Sequence, residues 1–416
     1  MPTPIVEMLD FNGVVIPLKL KILYCNITYE IDKEGKADEC DLELYFTCKE
    51  DCDSFLKLFQ AQLKFDSPHM SIRYGYNSPP NPLWGSATSV AQFQVRGIQV
   101  RGDDKTARYV TLKGYSPMLE ANDITCILFP PIEGEPPLTA AELVLQICMK
   151  YGWAHHDQKG NATVYASNDK PDRNYVVEQL GDLLETRAQF IQRLANIVGF
   201  DFFMKYNTIT RQPIVYFKPR NQLTDSPDFT YYYEPPKDAT DVGNHNLIEN
   251  YEMDISTAKN AGVREAATNL ELTEPVEWTV DQIPESWRGA DDGGAMPPKD
   301  SSKEVSTSAR TVPDIIAFIE AGFLMEQENT CLIRFNVIGN PFMYQGQIVW
   351  LRGTDELSEG KWSITKVVHN FEFNPSYYEC QVTLTKNTFP VSQEAFEING
   401  TAKLQEFPLS DIEGVK

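Results

Sequence analysis

Motifs that would announce chemistry are missing from this chain of 416 residues. There is no GxxxxGK[ST], no GxGxxG, no GxSxG and no HExxH, so nucleotide-binding, hydrolase-elbow and zinc-protease readings lose their usual support. Histidine is scarce, and the only tight pair is His155-His156. Adjacent side chains on an extended segment are expected to point to opposite faces, which argues against joint metal ligation. Eight cysteines (Cys25, Cys40, Cys48, Cys52, Cys126, Cys148, Cys331, Cys380) include no CxxC pair and have no histidine nearby. They read as reduced core thiols made in a cytoplasm, with Cys48 and Cys52 independent rather than a redox or metal pair. Long apolar runs are absent too, and none approaches the roughly 18 residues of a membrane span. The opening MPTPIVEMLDFNGVV carries Glu7 and Asp10 where a signal peptide needs a basic region. The expectation is therefore no membrane insertion and no standard secretion, which makes the sequons at Asn26, Asn161 and Asn399 chance matches. No catalytic residue, cofactor or metal is expected.

Positive charge is in short supply. Lys and Arg number 37 against 59 Asp and Glu, a net charge of −22. A surface built to grip nucleic acid carries a basic patch, so a DNA-binding clamp is disfavoured. An acidic conduit that lets a polyanion pass without sticking remains compatible, as does the plainer role of charge in solubility. Carboxylates in such number also leave open a rival class. A pair of them can serve as acid and base in glycoside cleavage, and 19 tyrosines with 6 tryptophans suit sugar stacking, so a β-rich carbohydrate-active enzyme or glycan-binding protein is the alternative.

What is present is strand pattern. Residues 330–387 read as a four-strand meander: TCLIRFNVIG, QIVWLRG, KWSITKVVHNFEF and YYECQVTLTKN. In the third run, Ser363, Thr365, Val367, His369, Phe371 and Phe373 alternate with Trp362, Ile364, Lys366, Val368 and Asn370. Both faces then carry large apolar groups, and the second would need a cover from its own chain or a neighbouring copy. Upstream, VVIPLKLKILYCNITYEI and CDLELYFTCK predict a pair of strands, AQFQVRGIQV and ARYVTLKGY a second pair, MSIRYGYN a further strand and SFLKLFQAQLKF a short helix. RGDDKT is the turn of the second pair, where Arg101-Gly102-Asp103 is ordinary turn chemistry rather than an adhesive motif.

Between about 136 and 218 the pattern becomes helical. Thr139-x-x-Glu142 and Thr186-x-x-Gln189 are capping boxes, with Gly152 and Gly199 placed to close the two helices. DFFMKY and IVYFK form a hairpin behind them, and LIENYEMDIS returns the chain to strand. Residues 264–304 hold ten acids against four bases and read as a long acidic loop, with Trp278 and Trp287 as its packing points. A helix is predicted over 312–327. From 388 on, periodicity is lost, and Phe389, Phe396 and Phe407 are spaced aromatics suited to wrapping a partner.

Four passages resemble the baseplate hub family of tailed bacteriophages, which includes the late control D protein and is related to type VI secretion spike proteins. They are PHMSIRYGY (68–76), ARYVTLKGYSPML (107–119), LETRAQFIQRLANIVGFDFFMKYNTITRQPIVYF, and the closing GNPFMYQGQIVWLRG with KWSITKVVHNFEFNPSYYECQVTLTK. Together they span most of residues 14–387. The acidic insertion is longer than the family pattern, and no lysozyme or spike segment follows the meander, which implies a separate spike.

The resemblance implies an α+β, β-rich fold. Two tube-like antiparallel β-barrel or sheet domains, 1–135 and 246–388 with the acidic loop 264–311, flank an inserted α+β domain at 136–245, and a tail covers 389–416. It also implies a homotrimeric ring in a virion baseplate, assembled in a bacterial cytoplasm. That ring joins the hexameric tail tube to the trimeric central spike, with the tape measure and baseplate wedge as further partners, and DNA passes its lumen without specific binding. Phe389, Phe396, Phe407, Trp278 and Trp287 are the candidate partner contacts.

Overall fold

The computed structural model describes residues 3–11, 13–15, 20–31, 37–62, 68–78, 87–103, 107–116, 118, 138–157, 159–166, 186–207, 212–219, 226–237, 243–255, 263–268, 276–279, 301–306, 331–355 and 358–386. The chain opens on β1 (Pro4–Phe11) and β2 (Val14–Val15), then β3 (Lys21–Glu30), β4 (Glu39–Phe46), helix α1 (Lys49–Gln62), β5 (His69–Tyr76), β6 (Thr88–Asp103) and β7 (Ala107–Tyr115). Helices α2 (Ala140–Tyr151) and α3 (Arg187–Val198) precede the hairpin β8 (Phe200–Tyr206) and β9 (Pro213–Pro219), followed by β10 (Phe229–Tyr232) and β11 (Tyr251–Ile255). Three short strands, β12 (Val263–Thr268), β13 (Val276–Thr279) and β14 (Ser301–Ser306), lead to β15 (Cys331–Ile338), β16 (Ile348–Arg352), β17 (Gly360–Phe373) and β18 (Ser376–Lys386).

Thirteen of these strands hydrogen-bond into one sheet, ordered β11-β15-β18-β17-β3-β4-β7-β6-β5-β1-β2, with β16 branching from β17 and β10 running parallel to β16. This corrects the barrel part of the expectation. The strands of the N-terminal and C-terminal units join in one sheet, where β17 pairs with β3 from Lys366↔Glu30 to Glu372↔Tyr24. Neither closes into a barrel among the described residues, since β11 and β2 end the sheet unjoined. One apolar core accordingly runs through both halves, from Val6 and Phe11 to Val382 and Leu384.

The closing strands also differ from a meander. β15 lies beside β18, not β16, so the order is β16-β17-β18-β15. A bulge between Ile364 and Lys366 explains why the alternation misled. One extra residue reverses the inside-outside phase, so Trp362 and Ile364 before it and Val367, His369 and Phe371 after it all face the same core. No large apolar second face remains in β17, and the need for a cover disappears.

Other boundaries moved for local reasons. Of the predicted strand from residue 14, the described residues form β2 and β3, with 16–19 outside them, and β1, which pairs with β5, has no counterpart in the expectation. Strand β6 continues through Asp103, so Arg101 and Gly102 lie in the ladder and not at the turn tip. Within the acidic insertion, β12 pairs with β13 and β14 as a small three-stranded sheet, so it is not simply a loop. The predicted helix over 312–327 lies outside the described residues.

The two helices follow their caps. The Thr139 and Thr186 side chains accept from the backbone N–H groups of Glu142 and Gln189, whose side chains return to the cap backbone. Gly152 (φ 67°) and Gly199 (φ 71°) close them in the left-handed conformation that a Cβ disfavours. Their apolar faces pack with β8 and β9 into a second core containing Leu143, Ile147, Phe190, Leu194 and Phe217.

Candidate functional site

The large sheet has one apolar face and one polar face, and the polar face is the candidate site. In β15 the burial alternates strictly, with Cys331, Ile333, Phe335 and Val337 inside and Arg334 and Asn336 outside. Strand β4 does the same, with Cys40, Leu42, Leu44 and Phe46 inside. Register then aligns the outward side chains into rows that cross both halves of the sheet.

One row runs Glu252, Arg334, Thr383, Lys366, Glu30 over five strands. Arg334 Nη1 lies 2.7 Å from Asp254 Oδ2 and Lys366 Nζ 2.7 Å from Glu30 Oε2. Both pairs are well exposed, so each is worth no more than about 1 kcal/mol. A second row runs Ile338, Glu379, Asn370, Asn26, Asp41, Lys113. A third is Lys21, Tyr45, Tyr109, Arg101, where Lys21 and Arg101 sit 5.3 and 5.0 Å over the tyrosine rings at either end. The rows themselves hold five cations and four carboxylates, and the adjoining Asp254 and Glu43 bring the carboxylates to six; Glu252, Glu30, Glu43 and Asp254 pair with Arg334, Lys366 and Arg101. An open groove of about 660 Å³ crosses the face at β11, β15, β18 and β17, lined by Tyr251, Arg334, Asn336, Lys366, Gln381 and Thr383. Amides, hydroxyls and paired charges in this arrangement keep water bound and offer a polyanion little net attraction.

Directly beneath lies the constellation that most resembles a nucleophile and base, which sequence reading missed because the residues are eleven apart on neighbouring strands. The Cys380 thiol is 3.4 Å from His369 Nδ1, which also meets the Tyr378 hydroxyl at 2.8 Å, while Nε2 faces the Met343 carbonyl at 2.9 Å. Both are fully buried. Burial pushes the thiol up to about 12 and holds the imidazole down at about 4. An activated thiolate–imidazolium pair requires the opposite shifts. The cluster packs the seam between the halves: the Tyr29 and Tyr74 rings meet His369 edge-on, and their hydroxyls are 3.1 Å apart.

Of the sequence-predicted partner residues, Phe389, Phe396, Phe407 and Trp287 lie outside the described residues. Trp278 is on β13, opposite Glu265 of β12. The His155 and His156 rings do not diverge as expected; their centroids are 4.4 Å apart, in a segment where Ala154 bridges to Ile214 and His156 to Ala162. Among the described residues no three His, Cys, Asp or Glu side chains gather as a metal site, and no helix is long and apolar enough to cross a membrane. Of the seven described cysteines, six are buried.

No family model matches the sequence, and no curated protein does. Solved structures do match along nearly the whole chain. A tail protein from Neisseria meningitidis MC58 superposes with a TM-score of 0.54 at 10% identity, covering 92% of this chain and 96% of the other. The fold is one shared with tail proteins. A 43 kDa tail protein of prophage MuSo2 from Shewanella oneidensis gives 0.55 at 11% identity, covering 93% of this chain and 99% of its own. At such identity the likeness is one of fold, and it agrees with the fold that the sequence resemblance implied.

Proposed function

We propose that this chain is a structural subunit of a phage-type tail, the baseplate hub: a homotrimeric ring that joins a hexameric tail tube to a trimeric central spike. The observation that carries the reading is the end-to-end fold likeness to two tail proteins, which leaves almost none of either partner unmatched. In this reading the β1–β7 unit (1–135) and the β11–β18 unit (246–388) are the two tube-like modules of each subunit. Three chains then present six such modules to the tube, and within 136–245 the helices α2 and α3 with β8 and β9 have a core of their own, while β10 joins the large sheet. The polar face of the sheet lines the DNA channel. Its near-balanced charge, with Arg334, Lys366 and Arg101 already paired to carboxylates, leaves DNA little of the counterion release that would make it stick.

The role is mechanical rather than enzymatic, and the buried Cys380–His369 pair is consistent with that because its shifts oppose activation. The chain assembles with tube, spike, tape measure and wedge proteins, within the virion. The acidic segment 264–311 and the tail, with Trp278, Trp287, Phe389, Phe396 and Phe407, supply partner contacts.

Light scattering with electron microscopy of the purified protein tests this. A ring of about three times 47.2 kDa is expected, or a monomer that forms one on adding spike protein. A monomer that binds neither tube nor spike protein and hydrolyses peptidoglycan or capsule would replace the hub with the carbohydrate-active reading.

A further inference from the structure

The helical block (α2, α3, β8, β9) and the large sheet have separate apolar cores, and the junction between them is of another character. There the hairpin β8–β9 meets the turn between β15 and β16. Lys218 Nζ of β9 donates to the Gly346 carbonyl at 2.6 Å, and the Tyr206 hydroxyl of β8 donates to Gln92 Oε1 of β6 at 2.8 Å. Lys205 of β8 lies over the Tyr344 ring, 2.9 Å from its centroid, and makes no ion pair among the described residues. Gln345 Nε2 reaches the Met204 carbonyl of β8 at 3.5 Å, while the buried Gln345 Oε1 has no hydrogen-bond partner. Phe203 of β8 is buried but belongs to neither core; its ring stacks on Tyr216 at 4.9 Å and 4° and fills the space over Gly346. Gly346 has a φ of +76°, and a Cβ there would overlap that ring. Beside these contacts, Ala37 and Met118 flank the sheet and reach the block's core. Contacts between units of one chain that are polar rather than broadly apolar leave the units free to move against each other.

We propose that the helical block is a hinged arm: it lifts from the large sheet as a unit, with both cores intact, and the fit of the Phe203 ring on Gly346 is the key that seats it. Opening the junction returns to water groups that water serves well. Lys205 regains its hydration, Gln345 Oε1 gains a partner, and the Gly346 carbonyl exchanges an ammonium for solvent. The apolar loss is confined to Phe203, Tyr216 and the margin at Ala37 and Met118, so lifting costs less than disrupting either core. Neither surface needs the other for its shape. The turn is tied within the sheet, by Gly346 N–H to the Ile364 carbonyl at 2.7 Å and Ile364 N–H to the Gln347 carbonyl at 2.9 Å. On the other side the β8–β9 ladder is complete from Phe200↔Pro219 to Tyr206↔Pro213. A side chain at residue 346 is penalised twice when the arm is seated, by the left-handed backbone and by the Phe203 ring, and lifting relieves the second penalty outright.

Spin labels at Met149→Cys of α2 and Val100→Cys of β6, both exposed positions, read the arm in the full chain with Cys48 and Cys126 replaced by serine. One narrow distance is expected in this parent. Gly346→Ala is expected to broaden and displace it, with the seated-to-lifted ratio falling at least about tenfold, while β8 and β9 amides keep their parent protection from hydrogen exchange. Gly13→Ala is the matched control: its φ is +75°, nothing lies within 4 Å of the added Cβ, and the parent distance should remain. A Gly346→Ala distribution identical to the parent's overturns the proposal. So does loss of β8 and β9 protection together with the displacement, because the block then does not move as a unit. If Gly346→Ala fails to fold, the urea dependence of native-state exchange in the parent decides: separate opening steps for block and sheet amides support the arm, and one common step rejects it.

Discussion

Phe371→Ala tests whether the two halves of the large sheet form one cooperative body. Phe371 is fully buried on β17, the strand through which the halves join. Its ring stacks on Tyr378 of β18 at 3.8 Å and 16°, and meets Tyr74 of β5 edge-on at 6.0 Å, so its neighbours come from both halves. Truncation loses the transfer energy of the ring, two aromatic pairings and the packing of a site that cannot collapse, because β3 and β18 are fixed on either side by their ladders. Such changes cost about 3–5 kcal/mol, and the rigid flanks place this one in the upper half of that range. Urea unfolding followed by tryptophan fluorescence gives the total. Native-state exchange of β5–β7 and of β15–β18 gives its distribution, and both groups are expected to lose the same free energy. A total below about 1 kcal/mol, or a loss confined to β15–β18, would refute the single-core account.

Acid acts on the same seam through His369. Its depressed value of about 4 means that stability present above the ordinary histidine range is lost as pH falls through 4, by about 3 kcal/mol in full. Urea midpoints at pH 7 and pH 4 should therefore converge in His369→Gln, and an unchanged acid slope would assign the loss elsewhere; the variant is compared with wild type because burial raises the Asp38 carboxyl to about 7, a shift that acts with the opposite sign. At the N-terminus of α3, Thr186→Ala should cost about 1 kcal/mol while Thr186→Ser stays near neutral, read as denaturant midpoints.

The helical block was legible because its signals are local. A cap side chain reaches three residues and a glycine closes its own turn, so α2 and α3 appear in the sequence with both ends marked. Much of the strand content was legible for the same reason, since alternation in β4 and β15 is a property of consecutive residues, although β1 was not read. What could not be read was pairing. Nothing in YCNITYE or VVHNFE says that β3 and β17 are neighbours, because the pairing rests on backbone groups common to every residue. The bulge in β17 was hidden by the same logic: Trp362-Ser363-Ile364-Thr365-Lys366 alternates perfectly well as text, and only the Thr383 and Leu384 register shows the skipped residue. His369 and Cys380 became neighbours through that register as well.

The bulge also changes what the polar face can be. Had Trp362 and Ile364 pointed outward, the sheet would have carried an apolar strip beside the Lys366–Glu30 row, and a surface of that kind adheres to whatever it meets. Turning both inward leaves a face on which Arg334, Lys366 and Arg101 are paired with carboxylates one or two strands away, from Glu252 on β11 to Arg101 on β6. A channel for a moving polyanion needs such a face on every module it lines, because a single adhesive patch would set the rate of passage. In the proposed channel role, the seam at β3 and β17 would meet that need in one step. By hydrogen-bonding the two halves edge to edge, it sets their polar faces side by side without a break, and it puts their apolar faces over a single core.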